Sequence, residues 1–299
     1  MRVFLTGATG FIGSRIVPEL IDAGHRVLGL TRSDAGARWL DQAGAEAHRG
    51  TLEAPDSIAS GAARADAVIH TAFDHDFSRF VENTEKDRRV IDAMAAALAG
   101  SDRPLLITSG TGMGSRGPGE VAVEGVFDRD HPNPRVLSEL AGEDAARRGV
   151  SVAVVRLPQV HDAARQGLIS PAIEIARERG VSAYVGDGAN RWPAAHVTDV
   201  ARLYRLALDH HEPGARWHAV AEEGVPIREI AEVIGAGLGV PVRSLSTDDA
   251  AEHFGWLAPF AGMDMPASSA RTRERLRWAP TGPGVIEDLR TMEYGPANA

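Results

Sequence analysis

The chain has 299 residues, a formal net charge of −9 and no cysteine, with a pI near 5.7. The missing thiols exclude disulfides, thiolate metal sites and cysteine nucleophiles, and the acidic balance argues against a nucleic-acid or anionic-membrane surface, which needs a basic face. No stretch approaches the roughly 18 unbroken apolar residues of a membrane span, and the first apolar run, from Val3, is interrupted from Gly7, which does not read as an export signal. The expectation is a cytoplasmic protein whose partner is a small molecule.

Short β-rich runs alternate with longer helical patterns through the first half. In order they are RVFLT, FIGSRIVPELIDAG, HRVLGL, ARWLDQAG, AEAHRG, ADAVIHTAF, a long helix near FSRFVENTEKDRRVIDAMAAALAG, and PLLITSG. A helix beginning near Pro134 then leads to VSVAVVRL. Such alternation predicts parallel strands with crossover helices, a doubly wound α/β sheet whose ligand lies at the carboxyl ends of the strands. After Pro158 the pattern changes to helices (LISPAIEIARERG, TDVARLYRLALDHH, IREIAEVIGAGLG) separated by loops and brief strands such as RWHAV. We read residues 1–160 as the sheet-building unit and 161–299 as a small, mostly helical lobe, interleaved with the sheet in one structural unit. The tail GPANA after Tyr294 reads as dispensable.

The first strand runs straight into GATGFIGSRIVPEL, with glycines at 7, 10 and 13. Residues without a Cβ permit a tight turn and close backbone approach to a pyrophosphate, while the following helix N-terminus supplies N–H donors. The strand–glycine–helix context is what a dinucleotide-binding turn requires. The second strand ends Leu30, Thr31, Arg32, Ser33 where an acidic residue would select NAD. An arginine and a serine there suit the 2′-phosphate of NADP, which is favoured over NAD, although Asp34 is close enough to reach a ribose.

TGATGFIG at the N-terminus, ADAVIHTAF, ITSGTGMG and VVRLPQVHD together resemble the extended and atypical short-chain dehydrogenase/reductases, the NAD-dependent epimerase/dehydratase group. The resemblance implies a Rossmann sheet of about seven strands and a C-terminal substrate lobe. Carried over by position, it implies that Gly7, Thr9, Gly10, Phe11, Ile12 and Gly13 wrap the pyrophosphate. Arg32 and Ser33 would then meet the adenosine ribose, and Thr71, Ala72 and Phe73 the ribose on the nicotinamide side. Where the family often has GDL, with its aspartate at adenine, this chain has GTL, so Thr51 and Leu52 stand there and adenine recognition is weakened or left to the backbone. The backbones of Pro158 and Val160 would meet the carboxamide, with Gln159 and His161 facing substrate. The lobe segment GDGANRWPAAHVTDVARLY would contribute Arg191, Trp192 and His196 to the substrate. A homodimer through the long helices is a further family-based expectation.

The catalytic set of the group is a serine or threonine after the fifth strand, then a tyrosine and, four residues on, a lysine. Ser109 matches the first. The pattern Y-x-x-S-K-x-x-x-E falls on R-V-L-S-E-L-A-G-E, which puts Arg135 at the tyrosine and Glu139 at the lysine. Lys86 is the only lysine of the chain, and Glu82 stands four residues before it, so no Tyr-x-x-x-Lys exists anywhere. Spacing alone makes Arg135 and Glu139 an ordinary i,i+4 surface pair, whereas the resemblance puts them at a reaction centre. There Arg135 can stabilise an oxyanion, but it is a poor proton donor because arginine stays protonated.

His75, in FDHDF, reads either as a proton relay at the nicotinamide rim or as a loop histidine in a helix-capping turn. No spacing supports a metal site. The segment HFGWLAPFAGMDMP gathers Phe254, Trp256, Leu257, Phe260, Met263 and Met265, either as core or dimer contact or as an apolar wall over the substrate. Two functions from different classes remain. One is an NADPH-dependent reductase of a small, fairly hydrophobic carbonyl or imine compound; the other is a non-catalytic NADP-binding redox sensor or scaffold. Sugar-nucleotide epimerisation or dehydration ranks third, because it relies on the missing proton-transfer pair.

Overall fold

Residues 3–5 and 67–69 are fully buried, as strands covered on both faces must be. In the computed structural model, which describes residues 1–295, they belong to a seven-stranded parallel sheet; residues 296–299 of the GPANA tail lie outside the described residues. The elements of the first part are β1 (Arg2–Thr6), α1 (Gly13–Asp22), β2 (Arg26–Thr31), α2 (Asp34–Gln42), β3 (Glu46–Arg49), α3 (Pro55–Ala63), β4 (Ala67–His70), α4 (Phe80–Leu98), β5 (Pro104–Gly110), α5 (Val136–Arg147) and β6 (Ser151–Leu157). They are followed by β7 (Gln159–His161), α6 (Ile169–Arg179), β8 (Ser182–Val185), β9 (Arg191–His196), α7 (Val197–Asp209), β10 (Arg216–His218), β11 (Glu222–Pro226) and α8 (Ile227–Leu238). The chain closes with β12 (Val242–Leu245), α9 (Thr247–Phe254), α10 (Ala258–Ala261), α11 (Ala270–Leu276) and α12 (Val285–Thr291).

The sheet order is β10-β6-β5-β4-β1-β2-β3. Its direction of winding reverses between β1 and β4, and a ligand crevice opens at such a switch point. The crevice is bounded by Thr6 and His70, which face each other in register at the carboxyl ends of those strands. One face of the sheet is covered by α1 and α7, where Ile16, Val17 and Leu20 pack with Val200, Leu203 and Tyr204. The other face is covered by α3, α4 and α5 through Ile58, Val90, Ile91, Met94 and Ala141.

The sequence reading set its boundary too simply. The run RWH, read as a brief lobe strand, is β10, the edge strand of the main sheet paired with β6. Helix α7, also placed after the boundary, covers a face of that sheet. Tertiary pairing decides such membership, and a three-residue strand carries no periodicity from which to read it. The lobe is mostly helical and also holds two small sheets, β7, β9 and β11 in one and β8 and β12 in the other. Its own core holds Ile173, Trp192, Val225, Ile230 and Leu289. Among the described residues, no helix is long and apolar enough to cross a membrane.

Candidate active site

The turn after β1 is built around close backbone approach. Gly7 sits at φ +70°, and a Cβ on it would lie 2.8 Å from the Ala72 amide nitrogen. A Cβ on Gly13 would lie 2.0 Å from the Gly7 carbonyl oxygen, so α1 can begin this near β1 only with glycine there. No side chain caps α1, its first turn has no acidic residue, and the N–H groups of Phe11, Ile12 and Gly13 meet no protein acceptor among the described residues. Free N–H groups at a helix start, with no carboxylate to repel an anion, fit a pyrophosphate. NAD or NADP would therefore be held by this turn.

At the end of β2, Arg32 is exposed and Ser33 caps α2, its hydroxyl oxygen accepting from the Gly36 amide at 3.0 Å. Its hydroxyl proton stays free to donate. Asp34, which was close enough to compete for a ribose, is paired with Arg49. Thr51 is tied to the start of α3, its amide donating to Ser57 Oγ at 3.1 Å, and Leu52 packs against the core below. The sole lysine, Lys86, is spent on Glu53 (2.6 Å) and Asp74 (2.9 Å), which ties the loop after β3 to the loop after β4. Bonds to these two carboxylates hold its pKa above the usual value.

Across the crevice lies a buried polar ring that the sequence reading missed. Asp87 on α4 is 1% exposed and accepts three hydrogen bonds: from His70 Nε2 (2.9 Å), from Arg135 Nη1 (2.9 Å) and from Ser138 Oγ (2.6 Å). A carboxylate only accepts, so His70 carries a proton on Nε2, and in the neutral ring Nδ1 takes the hydroxyl proton of Thr6 at 2.7 Å. Thr6 Oγ1 in turn accepts from the Ala72 amide at 3.2 Å, and Thr71 Oγ1 donates to the Thr6 carbonyl at 2.8 Å. Burial alone would raise the Asp87 pKa, but the Arg135 charge and the bonds from His70 and Ser138 outweigh it and hold the carboxyl at about 2. Arg135 is fixed by Asp87, by the Thr108 carbonyl oxygen, which accepts from Nη2 at 3.0 Å, and by the Phe73 ring, over which its guanidinium carbon lies 3.9 Å from the centroid. With one bond made by each terminal nitrogen, the fork retains N–H groups for a further acceptor.

Arg135 and Glu139 do not pair. Glu139 points the other way, into a sealed cluster where Arg156 binds it through Nε (2.7 Å) and Nη2 (2.8 Å), and Arg216 Nε adds a third bond at 2.8 Å. These two cations outweigh burial and hold its pKa below the usual value. Arg156 Nη1 also donates to the Val126 carbonyl at 2.9 Å and lies 3.2 Å from His218 Nε2. Glu139 is therefore a structural anion that locks α5 to β6 and β10, and the catalytic role expected for it is withdrawn. Ser109, in register with Arg156 on β6, is 3% exposed, and its hydroxyl has no hydrogen-bond partner among the described residues. It stands inside the wall rather than on its surface.

The expected substrate contacts divide as well. His75 is exposed beside Phe73, with its Nδ1 3.1 Å from the Phe73 carbonyl oxygen; desolvation and the Arg135 charge push its pKa down. Gln159 Oε1 accepts from the Leu168 amide at 3.0 Å and shapes the turn into α6. His161 is fully buried against Asp288 of α12 at 2.6 Å, and His196 caps α7. Trp192 belongs to the lobe core, and Arg191 is paired with Asp264 at 2.9 Å. For His161, Trp192 and Arg191 the reason is the same: each side chain is used to assemble the lobe, a role that spacing along the chain cannot distinguish from facing the cleft. Pro158 lies between β6 and β7, and Val160 is paired in register with Ala195 of β9 while its side chain joins the main core. Asp87 carried one legible signal: it falls on the same helical stripe as Val90, Ile91, Met94 and Leu98, and an acidic residue in a buried stripe needs partners.

The NAD dependent epimerase/dehydratase family model matches residues 3–220. An uncharacterized protein of Schizosaccharomyces pombe is 46% identical over 98% of this chain and 100% of its own length. The 2-alkyl-3-oxoalkanoate reductase of Stenotrophomonas maltophilia is 26% identical over 81% of this chain and 77% of its own. A dTDP-glucose 4,6-dehydratase double mutant from Streptomyces venezuelae, solved with NAD bound, superposes with a TM-score of 0.78 at 18% identity, over 98% of this chain and 96% of that one. The glycine cradle, the seven-stranded sheet and the family match agree: this chain belongs to the NAD dependent epimerase/dehydratase family of extended short-chain dehydrogenase/reductases, and it is an NAD(P)-dependent enzyme of that type.

Proposed function

We propose that this protein is an NADPH-dependent reductase of small hydrophobic carbonyl compounds in which Arg135 takes the place of the family tyrosine. The observation that carries this reading is the fixed Arg135 guanidinium, anchored on Asp87 and the Thr108 carbonyl with N–H groups to spare. Bound NADPH would supply the hydride to the carbonyl carbon. Arg135 would hold the carbonyl oxygen and stabilise the negative charge that develops on it, an interaction stronger in the transition state than in the ground state. The proton that completes the alcohol comes from water, because a guanidinium does not release one. Asp87 is a positioning residue: it keeps Arg135 extended toward the crevice and couples it through His70 and Thr6 to the cofactor turn. The imine alternative is less well supported, since an iminium cation would meet a cation.

NADP is favoured over NAD by the exposed Arg32, the free hydroxyl proton of Ser33 and the engagement of Asp34 by Arg49. A 2′-phosphate there would gain charge-assisted hydrogen bonds. The name of the 2-alkyl-3-oxoalkanoate reductase supports a ketone substrate, while the NAD-bound dehydratase keeps sugar chemistry as the alternative. Titration calorimetry should show NADPH binding at least several-fold more tightly than NADH, with Arg32→Ala abolishing the difference. Equal affinities in the parent would remove the NADP assignment. Tight NADPH binding without oxidation on a broad ketone and aldehyde panel would favour the sensor reading.

A further inference from the structure

Four of the eight phenylalanines of the chain, Phe73, Phe77, Phe80 and Phe260, gather at one place with Trp256. They form a continuous run of ring contacts that begins at the reacting end of the crevice. Phe73 carries the Arg135 guanidinium on its face and meets Phe80 at 6.1 Å between centroids. Phe80 meets Phe77 at 5.5 Å. Phe77 lies flat against Trp256, with centroids 4.9 Å apart and planes 10° from parallel, and its edge meets Phe260 at 6.5 Å. The Phe77–Trp256 stack joins the loop after β4 to the turn after α9, so the two lobes touch here through ring faces. Trp256 remains 47% exposed despite the stack. An exposed indole continuous with a run of rings offers a flat apolar face to a ligand together with one N–H donor.

We propose that this aromatic wall is the substrate subsite and that the substrate is a planar aromatic carbonyl compound. Its ring system would lie against the Trp256 face that Phe77 leaves open and the free edges of Phe77 and Phe80, with the carbonyl delivered to Arg135. An aliphatic chain would bury similar area but gain nothing from ring geometry, whereas a flat arene meets several offset or edge-on partners at once. A nucleotide sugar fits poorly, because this part of the wall offers rings where sugar hydroxyls would need hydrogen-bonding groups. The inference rests on the reductase reading for the position of the carbonyl, but the subsite itself is tested by binding alone.

The test is titration calorimetry of 2-acetonaphthone against 2-acetyldecalin, its saturated analogue with the same number of carbons, with the protein alone and saturated with NADP⁺. The naphthyl ketone should bind at least tenfold more tightly, and Trp256→Ala should erase about tenfold of that affinity. Trp256 is exposed, so the variant should fold; Phe77→Leu, which keeps an apolar side chain but removes the stack, provides the second variant and should lose a similar factor. Equal affinity for the two ketones, no measurable binding of the naphthyl ketone, or variants that bind it as well as the parent would overturn the proposal. Failure of the reductase reading is separate: the naphthyl ketone would still bind with the predicted preference, yet NADPH would not be consumed.

Discussion

Arg135 and Glu139 stand four residues apart at the start of one helix, yet they belong to two different polar clusters, and the contrast explains how this fold separates chemistry from support. In the Glu139 cluster the carboxylate and Arg156 are fully buried, with hydrogen bonds to each other, to Arg216, to His218 and to main-chain oxygens, and only Arg216 at its edge keeps 20% side-chain exposure. The Arg135 cluster is closed on one side only. Asp87, His70 and Ser138 are buried, whereas the arginine side chain keeps 13% exposure and, with one bond from each terminal nitrogen, N–H groups that meet no acceptor among the described residues. A saturated buried ion cluster fixes geometry and can do nothing else, while a half-saturated one at a cleft can accept an oxyanion. The two clusters also respond differently to mutation, since removing one partner of a buried pair leaves an uncompensated charge.

Glu139→Lys should therefore have the largest effect. It places an ammonium between the guanidinium groups of Arg156 and Arg216, and no soluble folded protein is expected on expression. Glu139→Gln, which keeps the shape, should lower stability by about 3–5 kcal/mol in denaturant titration. Rebuilding the family tyrosine and lysine at 135 and 139 is for the same reason not a gain-of-function experiment in this chain. A Glu139→Lys variant with parental melting temperature would refute the sealed cluster.

Next in size is the opened cluster. Arg135→Ala should cut kcat/KM on a proven ketone by roughly 100-fold, the loss seen when one oxyanion-stabilising donor is removed, with NADPH affinity nearly unchanged. It should also destabilise, because Asp87 loses its cation. A melting temperature that barely moves is not expected here. Arg135→Lys should restore much of the stability and less of the rate, since one ammonium cannot reproduce the planar fork.

Acid titration separates the clusters without a ketone. Burial and the Arg156 charge hold His218 at about 4 in the fold, below its unfolded value of 6.5. Its folded pKa is depressed, so the neutral form contributes stability above pH 6.5 that is lost as the pH falls toward 4. Asp87, at about 2 against 3.8, contributes on the order of 2 kcal/mol that is lost only between those two lower values. His218→Gln should flatten the upper window while leaving the lower one, and Asp87→Asn should do the reverse. Some slope will remain in the upper window because burial also lowers the pKa of His161. Identical pH–stability curves for His218→Gln and the parent would show that the buried histidine is not titrating in that range.

The smallest effect should come from Ser109→Ala. A buried hydroxyl without a partner costs stability, so its replacement by a methyl group should be neutral or slightly stabilising, with kcat changed by less than about threefold. A tenfold loss of kcat would return Ser109 to the catalytic list and require the wall to open during turnover.

The cofactor cradle and the sheet are legible in local stretches of the chain. Glycine at 7 and 13 and the uninterrupted apolar strands are local requirements, set by backbone clearance and by burial on both faces, and they show in any window of the chain. The absence of the family dyad is legible too, because one lysine at position 86 can be counted. Where each charge finds its partner depends instead on long-range packing. Asp87 meets Arg135 across 48 residues and Arg216 meets Glu139 across 77, and neither separation carries a periodic signal. Arg135 stands just before helix α5 and reaches Asp87 of α4 and the Thr108 carbonyl, Glu139 turns inward to Arg156 and Arg216, and only the packing of α4, β6 and β10 around the helix sends the two charges to different partners.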